Sequence, residues 1–269
     1  MFFILEPFSQ ALELKGETRS DLSQHVVQKI TAESVSIRSL QFDLDGEITS
    51  FTGGMGTLVG TKWVLTAAHL FERSEVGHVF WHGHKIEIHA VHYFLGRGKR
   101  IGNKDIALVE LKTHVNSRVS QVAAMPPSLK GNYFVVGHNA NEFNERESTE
   151  DMMNNDVIKK VGALTYPYDE IENLGISSDP NFFGLLSYTS DLEYPAATGI
   201  SNCNLDPGDS GGGVFDHTGK LVGISSRTAI LDLMDTLAPD NRSIEIKVST
   251  WLPLRSELVS WIQKTTSNF

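Results

Sequence analysis

The sequence predicts an all-β domain closed by a C-terminal helix, and three observations carry that prediction. About eleven short runs rich in Val, Ile, Phe and Thr recur from residue 33 onward, separated by Gly, Asn and Asp, the rhythm of a barrel or sandwich. No stretch of about 10–15 residues at helical spacing lies between consecutive runs, as a βαβ array would require. Near the end, Leu258, Val259, Trp261 and Ile262 fall at helical spacing with Lys264 in the last turn, which marks an amphipathic helix.

Taken in order, residues 1–30 are mixed and polar. Leu12, Leu14, Leu22, Val26, Val27 and Ile30 mark either a short helix or a loose extension, and the segment is expected to be an N-terminal extension or pro-segment. Residues 31–269 form one domain. Its strands are expected at 35–42, 56–59, 63–66, 79–81, 85–91, 106–111, 133–136, 184–189, 213–215, 221–225 and 244–248, and its helix at about 255–266. Residues 139–156 carry Glu142, Glu145, Glu147, Glu150, Asp151 and Asp156 against the single Arg146. Such a run cannot bury itself, so it reads as a solvated loop insertion, with an acidic substrate-steering flap as the alternative.

Composition bounds the function. The 269 residues are 40% hydrophobic and 21% charged, ordinary globular values. The net charge of −10 argues against nucleic acid and anionic membrane as partners. No apolar run approaches the roughly 18 residues of a membrane-crossing helix. One cysteine, Cys203, precludes an intrachain disulfide and a zinc site built on several thiolates. It reads as a small buried apolar residue, with a reactive thiol as the alternative. The segment Met1-Phe2-Phe3-Ile4-Leu5-Glu6-Pro7 lacks a basic start, and its apolar stretch stops at Glu6. The expected location is therefore cytoplasmic, or outside by a route that does not read such a signal. His82, His84, His89 and His92 are close in sequence, but no cysteine and only Glu87 stands near them, so no metal is expected. Asn241-Arg242-Ser243 is a glycosylation sequon with meaning only in a eukaryotic secretory setting.

Three segments carry chemistry. In Trp63-Val64-Leu65-Thr66-Ala67-Ala68-His69 an apolar strand runs into two small residues that let backbone pack behind an imidazole; a histidine so placed is, taken alone, most often structural. In Asn103-Lys104-Asp105-Ile106-Ala107-Leu108 an acid opens an apolar strand, where burial requires hydrogen-bond donors such as a histidine N–H. In Asp206-Pro207-Gly208-Asp209-Ser210-Gly211-Gly212-Gly213 a serine sits among glycines. Glycines permit the backbone angles that aim N–H groups at one point, and those of Gly208 and Ser210 would form an oxyanion hole. A glycine-rich hairpin turn is the alternative. The order His69, Asp105, Ser210 separates this arrangement from the other common orders of the same three residues.

On these motifs the chain resembles the trypsin-like, chymotrypsin-fold serine peptidases. Weaker likenesses are Val91-His92-Tyr93-Phe94 before the aspartate motif, Leu221-Val222-Gly223-Ile224-Ser225-Ser226 as the cleft strand, and Leu258 to Thr265 as the terminal helix. The resemblance covers about residues 33–267. It implies two six-stranded antiparallel β-barrels, about 31–120 and 121–250, with the cleft between them. It also implies a serine endopeptidase acting on a protein or peptide through His69, Asp105 and Ser210 by way of an acyl-enzyme, with no cofactor. A catalytically silent binding module, or an esterase or amidase on the same triad, is the alternative.

The resemblance further implies a substrate pocket at Asn204, Ser226, Arg227 and Thr228. The uncharged Asn204 at its floor argues against cleavage after Lys or Arg. It also makes Asp209 the candidate partner of a new N-terminus after processing. Lys29-Ile30 is the candidate cleavage point, but Ile30-Thr31-Ala32-Glu33 lacks the family's glycines, so a chain active without cleavage is expected.

Overall fold

Two neighbouring strands, buried on both faces, organise the described residues. The computed structural model describes residues 24–96, 105–124, 132–138, 156, 159–165, 185–190, 208–234 and 243–267. Strand β3 (Trp63–Thr66) pairs antiparallel with β6 (Ala107–Leu111). Val64 and Val109 point into one core with Val35, Ile37 and Leu58. Trp63, Leu65, Ile106 and Leu108 point the other way, into a second core with Phe134 and Leu252. Burial on two sides explains why these strands read as continuous apolar runs instead of alternating ones.

The first core fills a closed barrel. Strands β1 (Ser34–Phe42), β2 (Ile48–Gly60), β4 (Gly77–Trp81) and β5 (His84–Tyr93) join β3 and β6 in the order β1-β2-β3-β6-β5-β4. Pairing of β1 with β4, from Ser36↔Phe80 to Ser39↔Gly77, closes it. The buried Arg38 lies over the rings of Phe51 and Phe80 at 5.5 and 5.8 Å, a cation–π setting for a charge taken out of water.

The second half is a six-stranded antiparallel sheet. Strands β7 (Asn132–His138), β8 (Lys159–Thr165), β9 (Leu185–Ser190), β10 (Gly213–Phe215), β11 (Leu221–Met234) and β12 (Ser243–Pro253) lie in the order β8-β7-β10-β11-β12-β9. The described residues of this half give a six-stranded sheet and do not show the closed second barrel that the resemblance implies. Closure needs a ladder between the outer strands β8 and β9, and among the described residues none joins them. β8 escapes the sequence pattern because Lys159 and Lys160 open it.

Among the described residues two helices cover the core between the halves. The C-terminal helix, here α2 (Ser256–Ser267), buries Leu258 and Ile262 one turn apart, and Trp261 meets Phe94 edge-on at 5.4 Å. Helix α1 (Gln24–Ala32) crosses the boundary expected at residue 30. Val26 and Ile30 share its inner face, Ile30 is fully buried, and Lys29 Nζ donates to the Gly219 carbonyl at 2.8 Å. The Lys29-Ile30 bond is thus a helical peptide bond with its isoleucine in the core. Among the described residues no helix is long and apolar enough to cross a membrane.

Of the acidic insertion only Asp156 lies within the described residues. It accepts from Ser36 Oγ at 2.8 Å and from the Gly83 amide at 3.2 Å, and its Oδ2 lies 3.2 Å from Lys159 Nζ. The insertion therefore ends on the outside of the first barrel.

Candidate active site

The β3–β6 register brings His69 to Asp105. Thr66 pairs with Ala107, so the chain leaving β3 and the chain entering β6 lie at the same end of the ladder. Beyond Thr66 the backbone enters a 3-10 turn, Ala68–Phe71, that carries His69. Just before Ala107 stands Asp105, 3% exposed. Its Oδ1 accepts the His69 amide at 2.9 Å and its Oδ2 accepts His69 Nδ1 at 2.8 Å. Ser226 Oγ donates to the same Oδ2 at 2.6 Å.

Burial alone would push the Asp105 carboxyl up. The His69 hydrogen bond and charge, with the Ser226 hydroxyl and the His69 amide, outweigh it and hold the carboxyl down at about 2. An ionised Asp105 only accepts hydrogen bonds, so Nδ1 carries the proton. A neutral His69 ring is left with its lone pair on Nε2, the nitrogen a general base uses. His69 keeps 22% of its side chain exposed, enough for a substrate to reach it.

Ser210 comes from the other half. Its loop precedes β10, and the Met55 amide on β2 donates to the Ser210 carbonyl at 2.8 Å. Gly211 makes that approach possible. With φ +86°, it lies where an added Cβ would come 2.2 Å from Thr66 Oγ1 and 2.3 Å from the Met55 carbonyl. The Ser210 hydroxyl donates to the Ser226 carbonyl at 3.0 Å, and among the described residues no hydrogen bond joins it to His69. Gly208, at φ +103°, and Ser210 are the expected oxyanion-hole donors.

The remaining expected residues divide. Asn204 and Cys203 lie outside the described residues. Arg227 and Thr228 belong to β11, paired with Thr250 and Ser249 beyond a bulge after Ser225. Ser226, expected in the substrate pocket, spends its hydroxyl on Asp105 and its carbonyl on Ser210; nothing in its sequence context distinguishes that role. Asp209 meets His138, a residue that no sequence motif marks. His92 stacks edge-on against Trp63 at 5.2 Å and lies 3.6 Å from Glu110. His82 stands edge-on to Trp81. Among the described residues no three His, Cys, Asp or Glu side chains are placed to hold a metal ion.

The family described as "trypsin-like peptidase domain" matches residues 54–224, which includes His69, Asp105 and Ser210. Among solved structures the chain is similar to kallikrein-related peptidase 10, at 17% identity and TM-score 0.54, covering 89% of this chain and 97% of that one. The serine endoprotease from Yersinia pestis is 16% identical with TM-score 0.51, covering 89% of this chain and 64% of that one. A Glu endopeptidase in complex with MPD is 12% identical with TM-score 0.51, covering 88% and 91%. Identities this low speak to the fold alone. No curated protein sequence matches the chain.

Proposed function

The chain belongs to the trypsin-like peptidase family, and from that membership we propose that it is a serine endopeptidase with Ser210 as nucleophile. The observation that carries the reading is the double grip of Asp105 on His69, with the Ser210 loop docked on β2 beside it. In the reaction Ser210 Oγ attacks the scissile carbonyl of a protein or peptide and loses its proton to His69 Nε2. The carbonyl C–O π pair moves onto oxygen, which the Gly208 and Ser210 amides bind. His69 then protonates the leaving amine as the C–N bond breaks. Water repeats the sequence on the acyl-enzyme and frees Ser210. Asp105 keeps the ring tautomer and stabilises the imidazolium. Before attack the Ser210 hydroxyl turns from the Ser226 carbonyl towards His69, a tightening that substrate binding commonly brings about.

This reading includes activity without cleavage at Lys29-Ile30. Ile30 lies in the core within α1, and the Asp209 carboxylate is already engaged by His138.

A fluorophosphonate probe tests the proposal. The intact chain labels, and Ser210→Ala and His69→Ala do not. Labelling only after limited proteolysis would exclude activity without cleavage. No labelling in either form would leave a binding module.

A further inference from the structure

Asp209, next to the nucleophile, and His138, the last residue of β7, form a buried pair. Their side chains are 6% and 1% exposed. The Asp209 Oδ1 takes both donors of His138, the amide at 2.7 Å and ring Nδ1 at 2.6 Å. A carboxylate oxygen offers only lone pairs, so Nδ1 carries hydrogen whether the ring is neutral or charged. The fit is close on both sides. A Cβ on Gly137 would come 2.6 Å from Asp209 Oδ1, and a Cβ on Gly208 would come 2.7 Å from His138 Cε1. The imidazole therefore touches Gly208 while it binds Asp209.

The rest of the loop is held at the carbonyl of Asp209, which accepts from the Gly212 amide at 3.0 Å and from Ser225 Oγ at 2.5 Å. Those bonds fix the chain after Asp209. His138 binds the Asp209 side chain through amide and ring, Gly137 packs against the same carboxylate, and the imidazole also lies against the Gly208 side of the loop. β7 is in turn anchored by its pairing with β10 and β8.

We propose that His138 is the positioning residue of the oxyanion loop, holding Asp209 so that the Gly208 and Ser210 amides face one point. The proposal rests on the serine-peptidase reading for its consequence in catalysis, but the order of the loop is measurable without turnover. A correctly aimed donor matters most in the transition state, so its loss lowers kcat and leaves KM nearly unchanged.

The test compares wild type, His138→Phe and His138→Asn. Phenylalanine fills the site without a donor, whereas asparagine places an amide N–H where Nδ1 stands. Hydrogen exchange of the segment 208–212 is followed by mass spectrometry, alongside kcat and KM on a chromogenic peptide substrate. His138→Phe is expected to exchange the loop at least about tenfold faster with β7 still protected, and to lose about 10²–10³-fold in kcat, the size of one lost oxyanion donor. His138→Asn is expected to recover most of both. Wild-type exchange in His138→Phe, or equal loss in the two variants, would overturn the proposal. A wild type that neither labels nor turns over would overturn the peptidase reading, and the exchange data would still decide the role of His138.

Discussion

Nδ1 of His69 lies 2.8 Å from Oδ2 of Asp105 while the His69 amide binds Oδ1 of the same carboxylate at 2.9 Å. Two donors from one residue fix both the position and the rotation of the ring. Asp105→Asn presents an N–H in place of one acceptor and so favours the wrong tautomer. The variant is expected to fold and to lose on the order of 10⁴-fold in kcat. Steady-state kinetics on a peptide ester checks this, and a loss below about tenfold would remove Asp105 from the mechanism.

The same contacts make stability depend on pH in one direction. Asp105 is held at about 2 against an ordinary 3.8. Because the folded value is the lower one, its contribution is complete above about pH 4 and is lost as pH falls through about 2. The distance from 3.8 to about 2 corresponds to about 2 kcal/mol. Urea unfolding of wild type is expected to lose about that much more stability than Asp105→Asn between about pH 6 and about pH 2. Parallel acid profiles of the two proteins would contradict it.

The parts legible in the sequence were those whose chemistry is local. The small residues before His69, the acid opening β6 and the glycines around Ser210 each announce themselves within a few positions, and the family match joins them. The β3–β6 pair was legible as apolar runs, though the reason for their continuity, burial against two cores, needs the second sheet. The parts that were not legible depend on partners far along the chain. Ser226 looks like any residue of a cleft strand until Asp105, 121 positions away, is placed beside it. His138 ends an apolar strand and has no local mark; its partner is 71 positions on. Ile30 sits in a polar segment, and its burial shows only once its neighbour Gly219 and the core it enters are in place.

Ser226→Ala removes one donor to a buried carboxylate. Hydrogen bonds to charged groups contribute about 1.5–3 kcal/mol, so a deficit near 2 kcal/mol is expected at neutral pH. The bond favours the ionised form of Asp105, and the deficit therefore shrinks once that carboxyl is protonated, at and below about pH 2. Denaturant unfolding at both pH values measures the difference. A deficit that is the same at each would mean that Ser226 contributes packing and no charge stabilisation.

Gly211→Ala combines two penalties that can be separated with a second glycine. Gly83 has φ +76° with nothing within 4 Å of its would-be Cβ, so Gly83→Ala carries backbone strain alone, about 1–2 kcal/mol. Gly211 has φ +86°, and its Cβ would meet Thr66 Oγ1, the Met55 carbonyl and the Ala67 amide at 2.2, 2.3 and 2.9 Å. Two of those atoms are backbone of the first barrel and cannot rotate away. The loop must therefore lift off β2, breaking the Met55-to-Ser210 hydrogen bond that seats Ser210. Gly211→Ala is expected to lose fluorophosphonate labelling and several kcal/mol of stability, where Gly83→Ala keeps its labelling. Equal melting temperatures and equal labelling in the two variants would show that the Ser210 loop tolerates a looser seat than this contact implies.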